Sequence, residues 1–236
     1  MRAVWLSFFH TLKFFRKDRM LLAAGLAPFL AGTAIYFGVP FVERMLTRFT
    51  GMPRILSPYY GLFTIFFASI TPVMYCFIFA MVILEEHDEH IDRYLFVTGL
   101  GRSGYFVSRI VIPSLAAFVV TVFLLPVFRL TALSVGTVFL LSLTGTLQGI
   151  IVELLIVTLS SNKLEGMAVT KLSTLTIFGA VLPFFVPAPF CYCLSFLPSF
   201  WVGMAMLNSV PGYMLLAVLL AGVWIMGVQV RFYKKY

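Results

Sequence analysis

Long uncharged runs alternate along this chain with short charged clusters. Between Arg19 and Glu43 lie 23 uncharged residues, and between Arg54 and Glu85 lie 30. Arg109 and Arg129 enclose 19, Arg129 and Glu153 enclose 23, and Lys171 and Arg231 enclose 59. A helix needs about 20 apolar residues to cross the hydrocarbon of a bilayer. The first four runs therefore predict one spanning helix each, over about 20–41, 61–84, 107–127 and 132–159, the fourth with Glu153 inside it. The 59-residue run has room for two more, about 169–187 and 211–231. Its middle, residues 188–210 and their flanks, carries four prolines among aromatics and no charge. Irregular backbone at membrane depth survives only against protein or a water-filled cavity. This stretch predicts a re-entrant hairpin, with a hydrophobic loop lying among the headgroups as the alternative.

Composition agrees with lipid as the solvent. The 236 residues are 61% hydrophobic and 11% charged, with a mean hydropathy of +1.02. A soluble domain carries about 25% charged residues. The expected fold class is an all-α polytopic membrane protein with six transmembrane helices in a single domain. Residues 1–19 place Trp5, Phe8, Phe9, Leu12 and Phe15 on one side of a helix and Arg2, His10, Lys13 and Lys17 on another, with Leu6 and Phe14 breaking the pattern. That pattern predicts an amphipathic helix lying on the membrane surface. It runs straight into the first apolar run, with no small-residue cleavage site of a signal peptide.

Charge sets the orientation. With six spans, 13 of the 17 Lys and Arg residues fall on the side that holds both termini, against Arg44, Arg48, Arg54 and Arg129 on the other. The positive-inside rule makes the first side cytoplasmic. The net charge of +8 is thus accounted for by loops, without nucleic acid. The expected location is the cytoplasmic membrane of a bacterium. Cys76, Cys191 and Cys193 form neither a disulfide framework nor a CxxC pair, and read as small apolar residues.

Candidate chemistry is sparse. Four acids and two histidines crowd into Glu85–His90 at the predicted end of span two, where the helix dipole disfavours anions. Either the helix continues beyond the membrane or a partner supplies cations. Ile91, Tyr94 and Leu95 then share a face of a short helix, which Gly99 and Gly101 break. The segment suits an elbow on the membrane or a docking surface for another protein. His87 and His90, at i and i+3, raise a metal site as the lesser alternative. Inside span four, Ser142, Thr146, Gly149 and Glu153 recur at helical spacing, with Gln148 close by. An ionisable group at that depth normally faces protein or water. Three readings of Glu153 stand: a place on a transport pathway, a buried packing contact, or access to cytoplasmic water. Gly136, Gly145 and Gly149 permit close helix approach, within the chain or between two chains.

The acids after span two, the short helix ending in an apolar-Thr turn and the basic-aromatic return (Glu85–Phe106) resemble the membrane subunit of a type-2 ABC exporter. Leu12–Leu30 is similar to that family's connecting helix leading into span one. Ser160–Leu172 resembles its second cytoplasmic loop, and the Pro- and aromatic-rich stretch before span six its extracellular hairpin. His87 and His90 depart from the family's pattern. The resemblance implies that Glu85, Glu86, Glu89, Asp92, Arg93, Tyr94, Leu95, Thr98, Arg102, Lys163 and Glu165 dock a separate ATP-binding-cassette ATPase. It implies a second permease chain, identical or related, and an amphipathic drug, peptide or lipid-like substrate, with Gln148 and Glu153 on its path. The chain contains no Gly-Lys pair and hence no P-loop. No cofactor, no metal and no enzymatic activity are expected of the chain itself, ATP being bound by the partner. A secondary transporter or a membrane-embedded lipid enzyme is the alternative.

Overall fold

The structure is a computed structural model that describes Trp5, Ser7, Phe8 and residues 19–51, 55–187 and 189–235. The expected surface helix over 1–19 lies largely outside the described residues. Among those described, the secondary structure is helical throughout, with no strand. Five helical stretches are long and apolar enough to cross a membrane: Leu22–Phe49, Ser57–Asp88, Gly101–Val127, Val135–Leu159 and Gly212–Phe232.

The first, α1, runs Arg19–Thr33, widens into a π-helical turn at Ala34–Gly38 and continues as Val39–Thr50, well past the expected end at 41. Helix α2 is Tyr60–Asp88, α3 the short Ile91–Val97. Helix α4 comprises Gly101–Phe106, a π turn at Val107–Val111 and Ile112–Val127. Each π turn ends two residues before a proline, Pro40 and Pro113. A proline ring clashes with the carbonyl four residues back and cannot donate to it, so a widened turn there relieves both problems without ending the helix.

Helix α5, Val135–Leu159, and α2 form the centre of the bundle. In their most apolar stretches 72% and 78% of the residues are buried, against 11% in α1. What brings the two together is legible atom by atom. Pro72 lacks the N–H that would have bonded the Ala68 carbonyl. That carbonyl faces Gly145, where any Cβ would collide with it. One turn on, a Cβ at Gly149 would stand 3.0 Å from the Cys76 sulfur and 3.1 Å from the Pro72 carbonyl oxygen. Gly145 and Gly149 therefore serve contact within the chain, whereas Gly136 meets nothing closer than 3.9 Å.

After α5 the regular pattern breaks down. Helix α6, Lys163–Thr174, gives way to a 3-10 stretch at Leu175–Ala180 and a short turn of helix at Leu182–Phe185. The continuous helix expected over 169–187 is thus three pieces. A second 3-10 stretch, Phe190–Leu194, leads to α7, Pro198–Asn208, and then α8, Gly212–Lys235. The 3-10 stretch packs against α7: the Ser199 hydroxyl donates to the Thr176 carbonyl at 2.5 Å, and Gly203 sits against the Ala180 carbonyl. Trp224, halfway along α8, donates to the Phe196 carbonyl at 3.0 Å.

Two apolar cores result. One, around Met81, Ile83, Leu84, Ile110, Val152 and Ile156, lies towards the end of the bundle that carries the charge cluster. The other, around Ile65, Phe67, Leu125, Leu141 and Val202, lies towards the opposite end. Between them sits a polar layer of Ser69, Thr144, Gln148 and Ser199, all buried around one small cavity. At the opposite end, Glu43 of α1 accepts from the Ser57 amide at 3.0 Å and from the Tyr60 hydroxyl, tying the end of α1 to the start of α2.

Candidate functional site

The acidic cluster finds its explanation in helix length. Helix α2 has 29 residues and so extends about 43 Å, longer than the roughly 30 Å hydrocarbon layer. Its last turn, Glu85–Asp88, projects past the apolar core, and each carboxylate there has specific work.

Glu86 turns inward. Its carboxylate takes a forked pair of bonds from Arg109 in the π turn of α4, Nη2 to Oε1 at 2.6 Å and Nε to Oε2 at 3.0 Å. The Tyr105 hydroxyl adds a third at 2.9 Å. The remaining Arg109 nitrogen donates to the Ser7 hydroxyl at 3.0 Å, while Phe8 stacks on Phe79 with ring centroids 6.0 Å apart. Arg109 is 4% exposed and Glu86 14%. The N-terminal segment, α2 and α4 are thereby held at one point. Glu86 was expected on the docking face; this buried fork takes it away from that face.

Glu85 and Asp88 turn towards the α5–α6 connection. The Lys163 ammonium meets Glu85 at 2.8 Å, and the Lys163 amide donates to Asp88 at 3.0 Å. Helix α6 starts with a reciprocal cap. Asn162 accepts from the Glu165 amide at 2.9 Å, and the Glu165 carboxylate accepts from the Ser161 amide at 2.7 Å. Glu165 remains exposed while doing so.

Asp92 is 2% exposed, so it is no surface contact. It holds His87 at 2.7 Å and accepts from the Arg93 amide at 2.8 Å. His90 occupies the left-handed region, with φ 58°, at the reversal between α2 and α3. The two histidines thus shape the turn that aims α3. Thr98 closes α3 by donating to the Leu95 carbonyl at 2.7 Å, and Arg102 lies over the Phe96 ring at 5.8 Å. Leu95 is half-buried; Glu89, Arg93, Thr98 and Arg102 are exposed.

What this bracing presents is apolar. Tyr94 is 73% exposed, Val97 84%, Ile91 39%, and Leu164 at the start of α6 75%. The sequence pointed to Tyr94 but not to Val97 or Leu164. It also missed Arg109 as the partner of Glu86, because 23 residues separate them and no helical spacing links them.

The two residues expected on a pathway lie apart from this face. Gln148 donates to the Thr176 hydroxyl at 2.5 Å and borders the small mid-bundle cavity. Glu153 is fully buried on α5, with the Cys76 thiol of α2 beside its carboxyl. It lines none of the described cavities.

Five helices long and apolar enough to cross a membrane, with a braced apolar elbow at one end, define a multi-pass membrane protein. The chain belongs to the family described as fluoroquinolones export permease protein Rv2686c-like, whose profile matches residues 11–232. Among curated relatives, it is 24% identical over 195 residues to the fluoroquinolones export permease protein Rv2686c of Mycobacterium tuberculosis strain H37Rv, covering 80% of this chain and 75% of the relative. The protein called fluoroquinolones export permease protein MT2760, from strain CDC 1551, matches to the same extent. No solved structure matches.

Proposed function

We propose that the chain is the permease subunit of an ATP-driven exporter, working as a pair of such chains with two separate ATPase subunits. The observation that carries this reading is the face of α3 and the start of α6. Four large apolar side chains, Ile91, Tyr94, Val97 and Leu164, stand exposed at this end of the bundle, and exposed apolar groups of that size mark a contact for another protein. A groove on an ATPase would bury Ile91, Tyr94, Val97 and Leu164, with Glu89, Arg93 and Arg102 at the rim. Movement of the ATPase would then be passed through Lys163–Glu85 to α2 and α6, and through Glu86–Arg109 to α4, as rigid-body shifts.

On this reading the chain crosses the membrane six times, with both termini in the cytoplasm. The sixth is the broken run Lys163–Phe185: Lys163 meets the end of α2, whereas Phe185 stacks on Tyr59 at its start, centroids 5.3 Å apart. Residues 189–208 return to the level of Thr176, whose carbonyl the Ser199 hydroxyl bonds, in keeping with a re-entrant hairpin. The substrate is an amphipathic molecule of drug size, and the relatives' names make fluoroquinolones the first class to try.

Inside-out membrane vesicles containing the chain and its ATPase test this. ATP-dependent, vanadate-sensitive uptake of ciprofloxacin that persists with a protonophore is expected. Uptake that follows the proton gradient and ignores ATP would instead establish a secondary transporter.

A further inference from the structure

On the flank of the bundle, α1, α2 and α4 enclose a groove of about 390 Å³. Helix α1 packs along α2 but barely meets α4, and the groove lies in the gap. Its floor is Ile78, Phe79 and Ala117, all buried. Its rims are Leu26 of α1 and Ala116 of α4, both exposed, so it opens sideways between these two helices. Phe8, stacked on Phe79, lines the end nearest the charge cluster. Among the described lining no side chain is charged, and the single hydroxyl, that of Tyr75, donates to the Gly25 carbonyl at 3.5 Å. Gly25 helps keep the groove open, since a Cβ there would meet nothing nearer than Ile78 at 4.0 Å.

Depth, bore and charge identify the occupant. Along α4 the lining runs from Pro113 to Val120, about 10 Å. Val120 lies 11 residues past Arg109, so the groove ends about 16 Å from that charge, near the middle of a roughly 30 Å hydrocarbon layer. It therefore occupies a single leaflet. Spread along about 10 Å, 390 Å³ gives a cross-section of roughly 40 Å², whereas a helix 10–12 Å across needs roughly 80–110 Å². A helix of a second copy is too wide to enter, and a hydrocarbon chain is not. A wall without a free donor or acceptor would strand the polar groups of a drug or a peptide, and a saturated chain has none to strand. Charge supplies the other half of the molecule. Helix α1 runs from Arg19, one turn before Leu22 joins the lining. The sequence places Arg2, Lys13, Arg16 and Lys17 ahead of it, against Asp18 alone. Clusters of roughly 4–8 basic residues next to a spanning helix attract anionic lipid.

We propose that this groove is a lipid site: it holds an acyl chain of an anionic phospholipid from the leaflet at the charge-cluster end, with the headgroup drawn to the basic sequence that leads into α1. The chain fills the space between α1 and α4 and fastens α1 to the bundle where side chains do not reach. Close packing against the groove walls, rather than aversion to water, retains it, because the surrounding lipid is equally apolar. The site requires a membrane and no ATPase, so it stands apart from the exporter reading.

The test is native mass spectrometry of the full chain released from nanodiscs of equal parts phosphatidylglycerol and phosphatidylcholine. Gly25→Leu grows into the groove from α1, and Ala116→Phe enters it from the exposed rim on α4. Leu115→Phe, exposed and outside the lining, is the control. We expect a lipid adduct on the unaltered chain and on Leu115→Phe, with phosphatidylglycerol enriched on the order of fivefold, the effect of one basic residue near the membrane surface. Both groove variants should lose most of that adduct and keep the elution profile of the unaltered chain. Should Gly25→Leu fail to fold, Ala116→Phe decides. Equal adducts on every chain overturn the site, and equal retention of the two lipids overturns its anionic assignment. A dimer of the unaltered chain that carries no lipid and that both groove variants break apart would give the groove to a second copy and overturn the proposal.

Discussion

Arg109 grips Glu86 with two parallel bonds, 23 residues away in sequence, from inside a π-helical turn that Pro113 imposes. A forked guanidinium-carboxylate pair fixes both direction and distance, which a point charge does not. The pair therefore sets how α4 leaves the last turn of α2, and with it where α3 points.

Removing one partner of this pair leaves the other charge buried. Glu86→Gln and Arg109→Gln are each expected to cost about 3–5 kcal/mol, seen as a lower melting temperature in mild detergent. Combining them should cost much less than the sum, because the second substitution removes an already orphaned charge. Arg109→Lys should recover only part of the loss, since an ammonium cannot make the fork.

Gly145 and Gly149 predict a contrast along one helix. Gly145→Leu should prevent folding, because the obstruction is the Ala68 backbone rather than a movable side chain. Gly149→Ala should cost on the order of 1–3 kcal/mol as an overpacked contact. Gly136→Ala, in open space, should be neutral or slightly stabilising. Yield of monodisperse protein and melting temperature read all three.

Much of the layout was legible in the sequence. Uncharged runs gave the helices α1, α2, α4, α5 and α8, because burial in lipid demands apolar length above all. The run 169–187 was misjudged as one helix, since apolarity says nothing about which backbone bonds a neighbour will satisfy. Gly179, Pro183 and Gly203 together permit the 3-10 stretch to lie against α7, and that pairing exists only in three dimensions. The same holds at the site. The crowd of acids at Glu85–Glu89 stood out, but not that Glu86 would go to Arg109, Glu85 and Asp88 to Lys163, and Glu89 to the surface. Replacing the acids as a group would therefore break the bundle's own fastenings along with any docking contact.

Glu153 predicts a separation of stability from activity. With only a weakly polar thiol, Cys76, beside its desolvated carboxyl, its burial opposes folding. Glu153→Met, of similar volume, should stabilise the fold by roughly 1–3 kcal/mol of relieved desolvation, seen as a higher melting temperature. Slower ATP-dependent transport by a variant that is more stable would mark the carboxyl as functional. Lower stability would show that the carboxyl contributes a packing contact instead.

The Lys163–Glu85 bridge is about one-quarter exposed at each partner. Its worth to the fold should be no more than about 1 kcal/mol, so Lys163→Met should melt almost as the unaltered chain does. Its effect on transport should be larger than its effect on stability if the bridge carries motion from α6 to α2. The ratio of ATP hydrolysed to substrate moved in vesicles measures that.

The central claim is that the outward face of α3 seats an ATPase. The most direct measurement is recovery of an ATP-binding-cassette protein with the permease, quantified by mass spectrometry after mild detergent extraction from the native membrane. The unaltered chain is compared with the double variant Tyr94→Asp, Val97→Asp, whose side chains are too exposed to affect folding. The account predicts an ATPase near one per permease chain, reduced on the order of 10-fold or more by the double variant, with the elution profile unchanged. Equal recovery from both, or no ATPase with the unaltered chain, would contradict it.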